Sequence, residues 1–149
     1  MTGSIRFAAA TLLSLATLSG QLRAEPPNIV GSWSAKADIL LELDDKIVKV
    51  PRVLTMVIER VDGSLFFGKR KWKALTDEPG NVAGKDVLEA TEPFIGAIDS
   101  DCVTLRIVET DDPGLMFGEL LGPDRLEITY MESFPHAVIY TVVLQRQAE

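Results

Sequence analysis

The feature that most constrains this chain is its punctuation. From residue 30 onward, runs rich in Val, Ile, Leu and Thr are cut by Asp62-Gly63, Asp99-Ser100-Asp101, Asp112-Pro113-Gly114, Gly122-Pro123-Asp124 and Ser133-Phe134-Pro135. Gly tolerates positive φ, while Pro and Asp pre-set tight turns, so β-branched runs between such clusters read as hairpins. The spacing predicts about eight strands: 30–43, 52–61, 64–74, 93–98, 102–110, 115–121, 124–132 and 136–146. That pattern is all-β, an eight-stranded antiparallel up-and-down barrel. Residues 76–92, with Pro79, Gly80 and Gly84, read as a long loop in which Val87 to Glu92 could add a short strand or helical turn.

Alternation orients the strands. Trp33, Ala35, Ala37, Ile39, Leu41 and Leu43 share one face and Ser32, Ser34, Lys36, Asp38 and Glu42 the other, with Leu40 the exception. The apolar face belongs inside. By the same rule Val103, Leu105 and Ile107 point inward, as do Leu126, Ile128 and Tyr130. Closing the sheet on itself removes two edge strands that would otherwise template aggregation. Val53 to Ile58 and Ala137 to Leu144 are apolar on both faces. A row such as Leu54, Met56 and Ile58, or Val138, Tyr140, Val142 and Leu144, is therefore expected outside, as a homo-oligomer interface or a surface for a protein partner.

The first 24 residues read as a different kind of segment. Arg6 precedes the apolar run Phe7 to Gly20, and Leu22-Arg23-Ala24 ends in the small residue that signal peptidases need. A cleaved signal peptide, residues 1–24, and one barrel domain, residues 25–149, are expected, with a periplasmic or secreted location. No later run approaches the ~20 apolar residues of a membrane-spanning helix. Removing Arg6 and Arg23 leaves 13 bases against 22 acids, and the net charge moves from −7 to −9. That sign opposes binding to nucleic acid or anionic lipid. Cys102 is the only cysteine, so no internal disulfide can form.

Strand parity sorts the loops. In an up-and-down barrel the tight turns at 62–63, 99–101 and 122–124 share one end, and the longer connections 44–51, 76–92, 111–114 and 133–135 share the other. Trp33 and Arg146, from the first and last strands, both fall at the closed end. A guanidinium over an indole contributes about 0.5–2 kcal/mol there, which makes the pair a structural plug.

Gly31-Ser32-Trp33 with Arg146 on the terminal strand resembles the signature of the calycin group, the lipocalins and avidins. The tract from Phe94-Ile-Gly-Ala-Ile-Asp, through Leu105-Arg-Ile-Val-Glu and Gly118-Glu-Leu, to Asp124-Arg-Leu-Glu-Ile-Thr-Tyr130 is similar to small exported bacterial proteins. The resemblance implies a ligand-binding barrel; calycin-type barrels also include bacterial protease inhibitors. The second lipocalin motif, Thr-Asp-Tyr, is absent, and so is the tryptophan-rich pattern avidins use around biotin. Neither ligand class therefore transfers with the architecture.

The third strand sets Phe66, Gly68, Arg70 and Trp72 on one face and Lys69, Lys71 and Lys73 on the other. Three bare lysines are costly to bury, so Arg70 and Trp72 face inward and approach the mouth. Glu109 and Tyr130 reach the same end. These four are the candidate ligand-binding residues, for a small, partly apolar or anionic molecule; an internal Arg70–Glu109 pair is the alternative use of the same residues. The other expectation is a protein-interaction or inhibitor-type barrel acting through outer strands or loops. Asp99, Asp101, Asp111 and Asp112 lack the regular oxygen spacing of calcium loops and read as turn residues. His136 stands alone, no Ser-His-Asp, P-loop or metalloprotease motif is present, and neither catalysis nor a metal or cofactor is expected.

Overall fold

A computed structural model describes residues 27–43, 45–82, 85–134 and 136–148; the expected export segment lies outside them. Ten strands follow in chain order: β1 (Gly31–Leu43), β2 (Lys46–Asp62), β3 (Leu65–Ala74), β4 (Gly80–Val82), β5 (Lys85–Val87), β6 (Glu89–Ile98), β7 (Thr104–Glu109), β8 (Leu115–Gly122), β9 (Arg125–Glu132) and β10 (Val138–Arg146). Eight close into an antiparallel barrel in the order β1-β10-β9-β8-β7-β6-β3-β2, while β4 and β5 form a separate hairpin. No helix among the described residues is long and apolar enough to cross a membrane.

Each barrel strand neighbours the next in sequence, apart from the step from β3 to β6 and the closure of β1 on β10. The turn chemistry explains why. Gly63 adopts φ 62° between β2 and β3, and Asp101 ties the β6–β7 turn by accepting from the Val103 and Thr104 amides at 3.0 and 2.9 Å. A cross-strand row leaving β2 at Lys49 runs through Leu40, Ile139, Met131, Leu115, Val108, Ile95 and Phe67 and returns to β2 at Arg60, eleven residues further on. So large an offset means steeply tilted strands, as barrel closure requires.

Trp33, Leu54, Met56, Ile58, Phe94, Leu105, Met116, Leu126 and Leu144 fill the interior. Little space remains in the middle: about 10 Å³ lies among Met56, Met116, Ile128 and Leu144. At the closed end, the Arg146 guanidinium lies 4.1 Å from the centre of the Trp33 ring and donates to the carbonyls of Val30, Asn28 and Pro123 at 2.7, 2.6 and 3.0 Å. Trp33 Nε1 donates to the Ile29 carbonyl at 3.0 Å. Gly31 has φ 136°, and a Cβ there would come within 3.1 Å of Arg146 Nη1, which explains the Gly in Gly-x-Trp.

Four sequence expectations are corrected. Residues 46–51 are strand, because the alternation Ile47, Val48, Lys49, Val50 continues the pairing with β1 up to Leu43–Lys46, and the connection shrinks to residues 44–45. In 76–92, expected as a long loop, β4 and β5 form a hairpin, while the short strand expected within Val87 to Glu92 is present as the start of β6 at Glu89. Val103 precedes β7 and is 40% exposed, since it belongs to the turn. Leu54, Met56 and Ile58, like Tyr140, Val142 and Leu144, point inward. Directly paired residues share a face, and Trp33 pairs with Met56 and Tyr130 with Tyr140.

Candidate functional site

At the mouth the interior becomes polar. Arg70 lies on the inward row of β3 between Gly68 and Trp72, pairs across the ladder with Glu92 on β6, and is 6% exposed. Its Nε donates to Glu109 Oε1 and its Nη2 to Glu92 Oε2; Nη2 also reaches Glu109 Oε2 at 3.3 Å and the Tyr130 hydroxyl at 3.2 Å. The guanidinium carbon is 4.1 Å from the centre of the Tyr130 ring. Tyr130 stacks on Tyr140 with ring centres 5.2 Å apart and planes inclined by 14°.

Burying an arginine is tolerable only when its donors and charge are met, and here carboxylates meet both. The acids outnumber the cation. Glu92, Glu109 and Glu132 surround one guanidinium, with Asp112 close enough to act on Glu92 and Glu132. Burial pushes Glu92 up to about 7, with Arg70 opposing and the neighbouring acids reinforcing. Burial likewise raises Glu132 to about 7, against its hydrogen bond with Tyr130. The phenol supplies one proton yet lies within bonding distance of both Glu109 Oε2 and Glu132 Oε2, so when both bonds form one carboxyl brings its own proton. Burial also lifts both tyrosines above their ordinary range, which keeps both phenols neutral.

Above this floor is a cavity of about 40 Å³, walled by Ile39, Leu41, Leu54, Trp72, Val138 and Tyr140, with Arg52 and His136 at its edge. That is room for roughly three water molecules. Arg52 is 1% exposed; its guanidinium sits 5.7 Å from the Trp72 ring centre and donates to the Pro51 and Glu78 carbonyls at 3.2 and 2.6 Å. Burial lowers its pKa, with Glu78 opposing. The β3–β6 connection leans on the mouth: a Cβ on Gly80 would come within 2.6 Å of the Trp72 ring. Gly114, between β7 and β8, makes a similar close approach below. A Cβ there would fall 2.0 Å from Glu109 Oε2 and 2.6 Å from the Tyr130 hydroxyl.

Of the four residues the sequence singles out, Arg70, Glu109 and Tyr130 are in direct contact, and Trp72 walls the same cavity but stacks with Arg52. The Arg70–Glu109 pair anticipated from sequence is present. Sequence reasoning missed Glu92, Glu132, Arg52, Tyr140 and His136. A signal existed for three of them: Glu92 is two residues before inward Phe94, Glu132 two after Tyr130, and Arg52 two before Leu54, all on the inward parity. Away from the mouth, the acids at 99–101 have structural partners. Asp99 pairs with Arg106 at 3.0 Å, and Asp101 is held below the usual carboxylate range by hydrogen bonds from Thr104 and Val103.

These features define a closed eight-stranded antiparallel barrel, packed solid at one end and lined with a carboxylate-rich polar floor beneath a small aromatic-walled cavity at the other. Compared with protein-family models, with curated proteins and with solved structures, the chain matches none.

Proposed function

We propose that the chain is an exported, calycin-like binding module without enzymatic activity that takes a small, partly apolar ligand at its long-loop end. The observation that supports this best is the mouth cavity itself: apolar walls above buried charged groups, in a barrel that is otherwise filled. The anionic side of the expectation draws less support from Arg70, whose guanidinium is already shared between Glu92 and Glu109. Glu92 and Glu132 favour a ligand whose polar end donates hydrogen bonds, and Trp72 and Tyr140 favour a flat or branched apolar body. The cavity is small, so occupancy entails outward displacement of the Gly80 segment from Trp72.

Two measurements test this reading. Native mass spectrometry of the protein isolated from the cells that make it is expected to show a retained small molecule, which Trp72→Ala loses. In a Trp33→Phe background, Trp72 fluorescence is expected to respond to benzylamine more strongly than to benzoate, which has a ring of the same size and the opposite charge. A bare mass together with no response to either probe at millimolar concentration would overturn the proposal.

A further inference from the structure

The outer wall offers a second surface, independent of the mouth. Directly paired residues Phe67, Ile95, Val108 and Leu115 form an unbroken apolar row across β3, β6, β7 and β8. One pair lower, Leu65, Ala97, Arg106 and Phe117 form a second row. Ala97 is the small member. It lies in an open surface groove of about 580 Å³, which Leu65, Phe67, Ile95, Arg106 and Val108 also line. Two strands away, Phe117 is 48% exposed.

We infer that this wall is a self-association face, on which two copies pack about a two-fold axis near Arg106, each inserting Phe117 into the groove over the other's Ala97. Two-fold association needs one patch that carries both halves of its own complement, and here knob and groove lie on the same face. The area is sufficient. Leu65, Phe67, Ile95, Val108, Leu115 and Phe117 are 41–62% exposed and together present on the order of 600 Å² of apolar surface, most of the ~800 Å² per partner that a standard interface buries.

Charge favours a second copy over an unrelated partner. The chain is acidic overall, at −7, so most of its faces repel their own copies. Around this patch three cations have their own acids: Arg106 with Asp99 at 3.0 Å, Lys69 with Glu59 at 3.1 Å and Arg60 with Asp62 at 3.9 Å. The wall is locally neutral, and like faces meet without net repulsion. A membrane-spanning band fits it poorly, because exposed Lys69, Lys71 and Lys73 continue along β3 directly beyond the apolar rows, whereas a bilayer-facing band is about 25 Å tall.

Sedimentation velocity with light scattering on the unmodified protein tests this directly. A dimer is expected at about 10 µM, with Phe117→Lys and Ala97→Arg each raising its dissociation constant at least about tenfold. Thr141→Lys, on the opposite wall, is expected to leave it unchanged. Far-ultraviolet circular dichroism confirms that each variant is folded; these side chains are outside the core, so all three should be. A protein that stays monomeric at about 100 µM overturns the inference without recourse to any variant. So does a dimer that survives both wall substitutions, or an oligomer that forms only with lipid or with another protein.

Discussion

The two ends of this barrel use the same pairing, a guanidinium stacked on an aromatic ring at 4.1 Å, to opposite effect. At the closed end Arg146 donates to three backbone carbonyls, neutral acceptors fixed by the chain itself, and its one carboxylate neighbour is the largely exposed Asp124, 3.4 Å from Nε. At the mouth Arg70 donates to carboxylates that outnumber it and share too few protons. Carbonyls do not titrate, so the hydrogen bonds of the first end keep one state. Carboxyls near pH 7 do, so the second has several. The acceptors, more than the stacking, decide which end is a plug and which can exchange partners.

The largest expected effect tests that contrast most sharply. Arg70→Met leaves Glu92, Glu109 and Glu132 inside the barrel without their cation, and at pH 8 urea unfolding should show a loss of about 3–5 kcal/mol. At pH 5, where Glu92 and Glu132 hold protons, the loss should be clearly smaller. Equal losses at both pH values would break the comparison. Next comes Arg146→Ala, which removes three hydrogen bonds to carbonyls, the exposed ion pair with Asp124 and the contact with Trp33. It is expected to cost about 2–3 kcal/mol, and equally at pH 5 and pH 8.

The unmodified protein should itself show the asymmetry. Glu92 and Glu132 are raised from 4.5 to about 7 on folding, so between those values the folded state binds more protons than the unfolded one. Stability should therefore fall as pH rises through that window, by roughly 1–3 kcal/mol. Glu92→Gln should flatten the profile; a stability that rises over the same range would contradict the site's charge excess. The smallest effect is Gly31→Ala, where positive φ and the approach to Arg146 Nη1 should cost about 1 kcal/mol, with no pH dependence, by thermal unfolding.

Most of the fold was legible because turn chemistry and alternation are local. Asp62-Gly63 and Gly122-Pro123-Asp124 mark their turns from within a few residues, and Leu105, Ile107, Leu126 and Ile128 show their facing by parity. Strand parity also placed Trp33 and Arg146 together at the closed end, and Arg70, Glu109 and Tyr130 together at the mouth. Legibility ended where polar residues continue a strand. Lys46 to Pro51, interrupted by Lys49 and closed by Pro51, reads as a connection, and Glu89 to Glu92 is polar enough to leave loop and short strand both open, yet both segments pair in register. A charged side chain can face inward only if partners on other strands satisfy it, and those partners are remote in sequence: Arg70 and Glu109 are 39 residues apart. The facing of β2 and β10 was ambiguous for a related reason. Apolar residues on both sides leave no local preference, and only pairing with Trp33 and Tyr130 decides it.

By itself, then, the sequence determined an all-β chain of short antiparallel strands, the partition of its loops between two ends, and the residues available to plug one of them. These follow from backbone propensity and the period of two, which act over a few residues. The tertiary structure alone decided that Glu92 and Glu132 join Arg70, that the interior is filled except beneath Trp72, and that Phe67, Ile95, Val108 and Leu115 align on one wall. Each of these depends on cross-strand register around a closed barrel, which is set by the sum of all eight pairings and by no segment alone.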